Sequence, residues 1–159
     1  MGTAGAAAIA AAGIGVLKWQ SREATAATEG RFEVTKTPEE WQKILTPEQY
    51  SVLREAGTER AFTSPLNKEK REGIFACAGC DLPLFNSETK FESNTGWPSF
   101  YAPIDNAVEQ SQDWSFGMLR DEVHCRRCGG HLGHVFNDGP KPTGLRYCMN
   151  GVAMKFIPA

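Results

Sequence analysis

Helical spacing of apolar residues is confined to one part of this chain. The remaining apolar positions fall in short runs broken by turn residues. Thr37-Pro38-Glu39-Glu40 reads as a helix start: Thr37 is the N-cap, Pro38 takes the first helical position and Glu40 can close a capping box. Thr46-Pro47-Glu48-Gln49 repeats the device, with Gln49 in the reciprocal place. Trp41, Ile44 and Leu45 are the expected buried face of the first helix, and Val52 and Leu53 that of the second. The second helix should run to about Ala56 and stop at Gly57.

After Gly73 the texture changes. Gly73 to Ala76, Asp81 to Phe85, Trp114 to Leu119, His131 to Phe136 and Leu145 to Ile157 are short apolar runs of strand character. Asn137-Asp138-Gly139-Pro140 marks a turn. The pattern predicts a mainly β (α+β) domain, largely antiparallel, entered through two short N-terminal helices.

Residues 1–30 differ in composition from everything that follows. Ala4 to Leu17 carries no charge, and Lys18 is the first charged side chain. Ala24-Thr25-Ala26 resembles a small-x-small cleavage site. A run of about 14 apolar residues fits the central region of a secretory signal better than a membrane span. No Lys or Arg precedes the run, which departs from that pattern. The expected division is therefore a signal-like or disordered segment over 1–30 and a folded domain over 31–159. Export to the periplasm is the suggested location, with the cytoplasm as the alternative. The chain of 159 residues has a net charge of −2 with His neutral, so nothing global points to nucleic acid.

Five cysteines cannot all pair. Cys77-Ala-Gly-Cys80 and Cys125-Arg-Arg-Cys128 are both C-x-x-C, with 44 residues between Cys80 and Cys125. Zinc favours a tetrahedron of thiolates, and each C-x-x-C turn presents two of them on one side. The alternatives are a redox-active motif or two disulfides. A thioredoxin-like motif should open a helix, whereas Asp81-Leu82-Pro83 and Gly129-Gly130 both break helices. One structural zinc on Cys77, Cys80, Cys125 and Cys128 is the favoured reading. A filled four-thiolate shell leaves the metal no open position for chemistry.

Cys148 then stands alone. A buried free thiol is the bland reading. Strand alternation, however, places Arg146, Cys148 and Asn150 on one face, and a cation near sulfur favours the nucleophilic thiolate. Asn150 offers an amide to hold a substrate or order a water. His131 and His134 add two imidazoles that the zinc site does not need. In Gly96-Trp97-Pro98-Ser99-Phe100, Pro98 pushes Trp97 towards extended backbone, where the indole could wall an apolar pocket. Arg146 and Phe136 are further candidates for substrate contact.

Read in order, GTERAF, FACAGCDLPLF, GWPSF, HCRRCGGHLGHVFNDGP and GLRYCMN resemble the B-type peptide methionine sulfoxide reductases, over about Phe32 to Ile157. The resemblance implies two antiparallel sheets, with a four-cysteine zinc site far from the active site. It also implies reduction of the R epimer of methionine sulfoxide, mainly in proteins. Cys148 would be the nucleophile and pass through a sulfenic acid. His131, His134 and Asn150 would position the sulfoxide and its water, and Trp97 would take the ε-methyl. Many relatives carry a resolving cysteine two residues before the tryptophan, where this chain has Thr95. A one-cysteine enzyme is therefore expected, acting as a monomer on oxidised proteins. Its recycling would rest on an external thiol, glutathione with glutaredoxin or thioredoxin directly. Two rivals remain at this level: a non-catalytic zinc-ribbon-like binding module, and a different thiol enzyme that handles glutathione adducts.

Overall fold

The computed structural model describes residues 31–159. The apolar run and the cleavage-like site lie outside the described residues. Among the described residues no helix is long and apolar enough to cross a membrane.

Both capping boxes form. Helix α1 (Pro38–Ile44) starts at Thr37, whose hydroxyl accepts from the Glu40 N–H while Glu40 accepts from the Thr37 N–H. Helix α2 (Pro47–Glu55) starts at Thr46 with Gln49 in the same exchange. Each box satisfies two amide donors that a short helix would otherwise leave unpaired. Trp41, Leu45, Val52 and Leu53 are buried as expected, but Ile44 faces solvent. Helix α1 is only seven residues long, and Trp41 with Leu45 already fills its inward side. The left-handed residue that ends α2 is Ala56 (φ 54°), one position before the expected glycine.

The strands are β1 (Gly73–Cys77), β2 (Pro83–Asn86), β3 (Lys90–Phe91), β4 (Ser99–Phe100), β5 (Val108–Asp113), β6 (Arg120–Cys125), β7 (His131–Phe136), β8 (Arg146–Met149) and β9 (Met154–Pro158). They form two antiparallel sheets, a three-stranded one in the order β2-β1-β9 and a six-stranded one in the order β3-β4-β8-β7-β6-β5. The core lies between them. Phe85 stacks on Phe100 at 4.4 Å and Phe75 meets Phe100 edge-on at 4.9 Å, so aromatic rings from both sheets interlock.

Two expectations for the strands need correction. Trp114 to Leu119 is not a strand but the tip of the β5–β6 hairpin, with a 3-10 turn at Ser115–Gly117. The hairpin strands are the polar runs on either side. Leu145 to Ile157 is not continuous either. A 3-10 turn at Gly151–Ala153 breaks it, and β8 and β9 belong to different sheets.

Candidate active site

Register places chemistry in a single row across the six-stranded sheet. Ser99 of β4 is opposite Cys148 of β8, Cys148 is opposite His134 of β7, His134 is opposite Glu122 of β6, and Glu122 is opposite Ser111 of β5. Directly opposed residues in an antiparallel pair share a face, so five functional side chains stand side by side. One row along, Asp113 faces Arg120 and Phe136 faces Arg146.

His131 joins this face through an irregularity. It lies three positions before His134, and plain alternation would turn the two rings to opposite faces. Val123 pairs with Gly133, but the next pair is His124 with His131, so Leu132 is an extra residue in β7. This bulge restores His131 to the face of His134, with ring centroids 5.4 Å apart. Asn150 secures it: its N–H (2.8 Å) and its Nδ2 (2.9 Å) both donate to the Leu132 carbonyl. The Asn150 Oδ1 accepts from the Glu59 N–H at 2.9 Å. Asn150 is only 3% exposed, and its side-chain amide is hydrogen-bonded through both Nδ2 and Oδ1.

Cys148, His134, Trp97, Phe136, Asn150, Arg120, Gly133 and Thr58 line one cavity of about 120 Å³. Trp97 Nε1 donates to the Glu59 carbonyl at 3.1 Å, which fixes the indole as a wall. Glu59 is itself anchored by the N–H groups of Gly151 and Val152 on its carboxylate. His131 does not line the cavity and is 4% exposed; its Nε2 is buried without a hydrogen-bond partner.

Each histidine has its own carboxylate. His131 Nδ1 lies 2.7 Å from Glu122 Oε1, and Ser111 donates to the other oxygen of Glu122. The His131 contact, opposed by burial, holds the Glu122 carboxyl down to about 2. His134 Nε2 lies 2.8 Å from Asp113 Oδ2, which also receives Arg120 at 2.8 Å. The Ser115 N–H, then His134, hold Asp113 well below the carboxylate range. Both carboxylates are therefore ionised acceptors at neutral pH. The facing ring nitrogens must carry hydrogen, which leaves Nδ1 of His134 and Nε2 of His131 as the basic atoms. Burial pushes His134 below its ordinary value against the opposing pull of Asp113, so the ring is neutral at pH 7.

The Cys148 thiol is pushed up, first by burial, with the charge of Arg146 acting the other way. Arg146 stands where the sequence places it, but Asp138 takes its Nε and Nη2 at 2.9 and 3.0 Å, and its guanidinium stacks on Phe136 at 4.4 Å. Its pull towards thiolate is real and is outweighed. Thr95, two residues before Trp97, puts its Oγ1 4.0 Å from Cys148 Sγ. Asp113, Arg120, Glu122, Ser99 and Glu59 were not singled out from the sequence. The polar alternation of Arg120, Glu122 and His124 was the available signal.

The other four cysteines converge. Their sulfurs all lie within 4.8 Å of one another, with Cys77–Cys128 at 3.7 Å and Cys80–Cys125 at 3.5 Å. A tetrahedron with Zn–S bonds of about 2.3 Å has edges of about 3.8 Å, so the quartet fits zinc. The two turns are copies. The Cys77 N–H donates to Leu82 and the Asp81 N–H to Cys77; the Cys125 N–H donates to Gly130 and the Gly129 N–H to Cys125. Asp81 (φ 65°) and Gly129 (φ 68°) occupy the same left-handed position.

Residues 45–158 match the SelR domain. A relative in Leptospira interrogans (serogroup Icterohaemorrhagiae, serovar Lai, strain 56601), named peptide methionine sulfoxide reductase MsrB, is 57% identical over 126 residues, covering 79% of this chain and 96% of the relative. A relative of the same name in Pseudomonas putida (strain W619) is 59% identical over 127 residues, with 79% and 96% covered. Another in Agrobacterium fabrum (strain C58) is 54% identical, with 79% and 94% covered. With the site's residues and the domain match in agreement over most of its length, the chain belongs to the SelR-domain family that holds the MsrB peptide methionine sulfoxide reductases.

Proposed function

We propose that this chain is an oxidoreductase that reduces methionine sulfoxide, the R epimer in particular, in oxidised proteins and in peptide or free form. The observation that carries this reading is the facing of Cys148 and His134 across adjacent strands, in a cavity walled by Trp97. The substrate's methyl lies against the indole and its oxygen towards the histidine. Nδ1 of His134 takes the thiol proton as Cys148 sulfur attacks the sulfoxide sulfur, and returns it to the departing oxygen. The S–O bond to substrate breaks, and the oxygen passes with that proton to Cys148. Thiol and sulfoxide thus become sulfenic acid and thioether, and sulfur is the only element that changes oxidation state. A resting thiol suits this balance, because the leaving oxygen requires a proton.

An external thiol then condenses with the sulfenic acid and releases water, and a second thiol splits the mixed disulfide. Thr95 cannot resolve the sulfenic acid, and the other four cysteines are gathered at the metal cluster, so the reductant is glutathione with glutaredoxin or thioredoxin directly. One zinc, held by Cys77, Cys80, Cys125 and Cys128, is structural. Residues 31–159 form the catalytic domain, and the apolar segment before it serves export to the periplasm. The protein acts as a monomer.

Turnover on separated R- and S-sulfoxide substrates tests the reading. The R epimer should be reduced and the S epimer left, and Cys148→Ser should abolish turnover while retaining zinc. Equal rates on both epimers would rule it out. A Cys148 disulfide to any of the four clustered cysteines after substrate oxidation would rule out the external thiol.

A further inference from the structure

The hairpin between β5 and β6 carries a surface that the chemistry of Cys148 does not use. Between Asp113 and Arg120, which both serve the His134 network, the chain presents Trp114, Phe116, Met118 and Leu119 to solvent. Phe116 is 90% exposed, Trp114 69% and Met118 60%. Four large apolar side chains within six residues form the kind of patch that marks an interaction site. The backbone adds to this. Phe116 holds φ 57° and ψ 25°, a left-handed conformation that is unfavourable for a bulky residue and that clusters at ligand clamps. In the isolated protein neither the exposed rings nor the strained backbone is offset by packing, apart from the Arg120 guanidinium 5.4 Å from the Phe116 ring.

The patch adjoins the active site. Arg120, whose guanidinium lies 5.4 Å from the Phe116 ring, also lines the Cys148 cavity, and Asp113 at the other foot of the hairpin holds His134. The cavity, at about 120 Å³, admits the end of one side chain. A polypeptide that inserts a methionine sulfoxide there must lay its neighbouring residues across the mouth, beside Arg120 and against this hairpin.

Resting on the proposed reductase activity, we propose that the hairpin tip docks the apolar side chains that flank methionine sulfoxide in a polypeptide substrate. The surface thus favours sulfoxides that arise in apolar sequence, such as former core segments, over those in polar sequence. Binding energy from these non-reacting residues holds the sulfoxide in the cavity.

The test uses the full chain with dithiothreitol as reductant and three R-sulfoxide substrates: N-acetyl-methionine sulfoxide, a pentapeptide with leucine on both sides of the sulfoxide, and the same peptide with serine. Wild type should reduce the leucine peptide with a kcat/KM about tenfold above the serine peptide, mostly through KM. Trp114→Ser combined with Met118→Ser should bring that ratio close to one without changing the melting temperature, because both side chains are exposed. A wild-type ratio near one, or a ratio that survives the double substitution, overturns the proposal. So does loss of binding to phosphatidylglycerol vesicles in the double variant with the peptide ratio unchanged, which would assign the hairpin to a membrane surface. Failure of wild type to reduce N-acetyl-methionine sulfoxide would instead strike the reductase reading itself.

Discussion

His134 hands its Nε2 hydrogen to Asp113, so only its Nδ1 can exchange a proton with the cavity. The pH dependence follows from two opposing influences: burial lowers the ring's pKa and Asp113 raises it. Protonation of His134 removes the base, so kcat/KM should fall as pH drops through a value below the ordinary 6.5. Asp113→Asn removes the raising influence, and the acid limb should then move to still lower pH. It should also lower kcat/KM by about 10²-fold, the scale of a mis-set general base. A pH–rate profile of both proteins checks this; an acid limb unmoved in the variant would detach Asp113 from His134. Thr95 yields a second residue-scale test. Its hydroxyl already faces Cys148 Sγ at 4.0 Å, and a disulfide requires about 2.05 Å between sulfurs. Thr95→Cys should trap a disulfide with Cys148 after one turnover with substrate, and peptide mapping should find it. If none forms, loop movement keeps the two positions apart.

At the scale of elements, the bulge at Leu132 decides whether two histidines or one face the site. Asn150 grips the bulged carbonyl twice and tethers Glu59, whose own carbonyl orients Trp97. Asn150→Ala therefore leaves a buried carbonyl with one donor fewer and the Glu59 N–H unpaired. A loss of about 1–3 kcal/mol in stability is expected, with turnover falling by more than global unfolding explains. Thermal melting and initial rates measure the two separately. This bulge was not legible beforehand, because H-x-x-H suggests a shared face only in a helix. The two helices were legible: each Thr-Pro start signals its own capping box within four residues. Strands β5 and β6 were not, because their visible faces are polar. Val108–Asp113 has the sequence VEQSQD, and its Ser111 and Asp113 are spent on the site rather than on a core. The strongest apolar signal nearby, Trp114 to Leu119, misled for a related reason, since those residues face solvent at a turn. Local pattern reports burial, and a functional face or docking surface inverts it.

For the whole molecule, the question is what joins the two sheets. The aromatic core between them is one tie. The cysteine quartet is the other: Cys77 ends β1 of the small sheet, while Cys125 ends β6 of the large sheet and Cys128 lies in the turn to β7. The helices lean on the same corner. A side chain at Gly79 would touch Trp41 of α1, and one at Gly130 would press on Leu53 of α2. The cysteine quartet, the sheets and the helices thus share one junction. Magnitudes decide its importance. A structural zinc contributes on the order of 10–16 kcal/mol of binding free energy, comparable to the whole stability of an ordinary domain, about 5–15 kcal/mol. The core cannot make up such a loss, and a quartet stripped of its cation must take up protons or hold thiolates that repel one another. Cys125→Ser should therefore release zinc, lower the melting temperature by more than about 10 °C and abolish turnover, although Cys148 is untouched. Metal analysis alongside calorimetry provides the check. A zinc-free Cys125→Ser protein that melts with wild type would mean that the aromatic core alone holds the sheets in register.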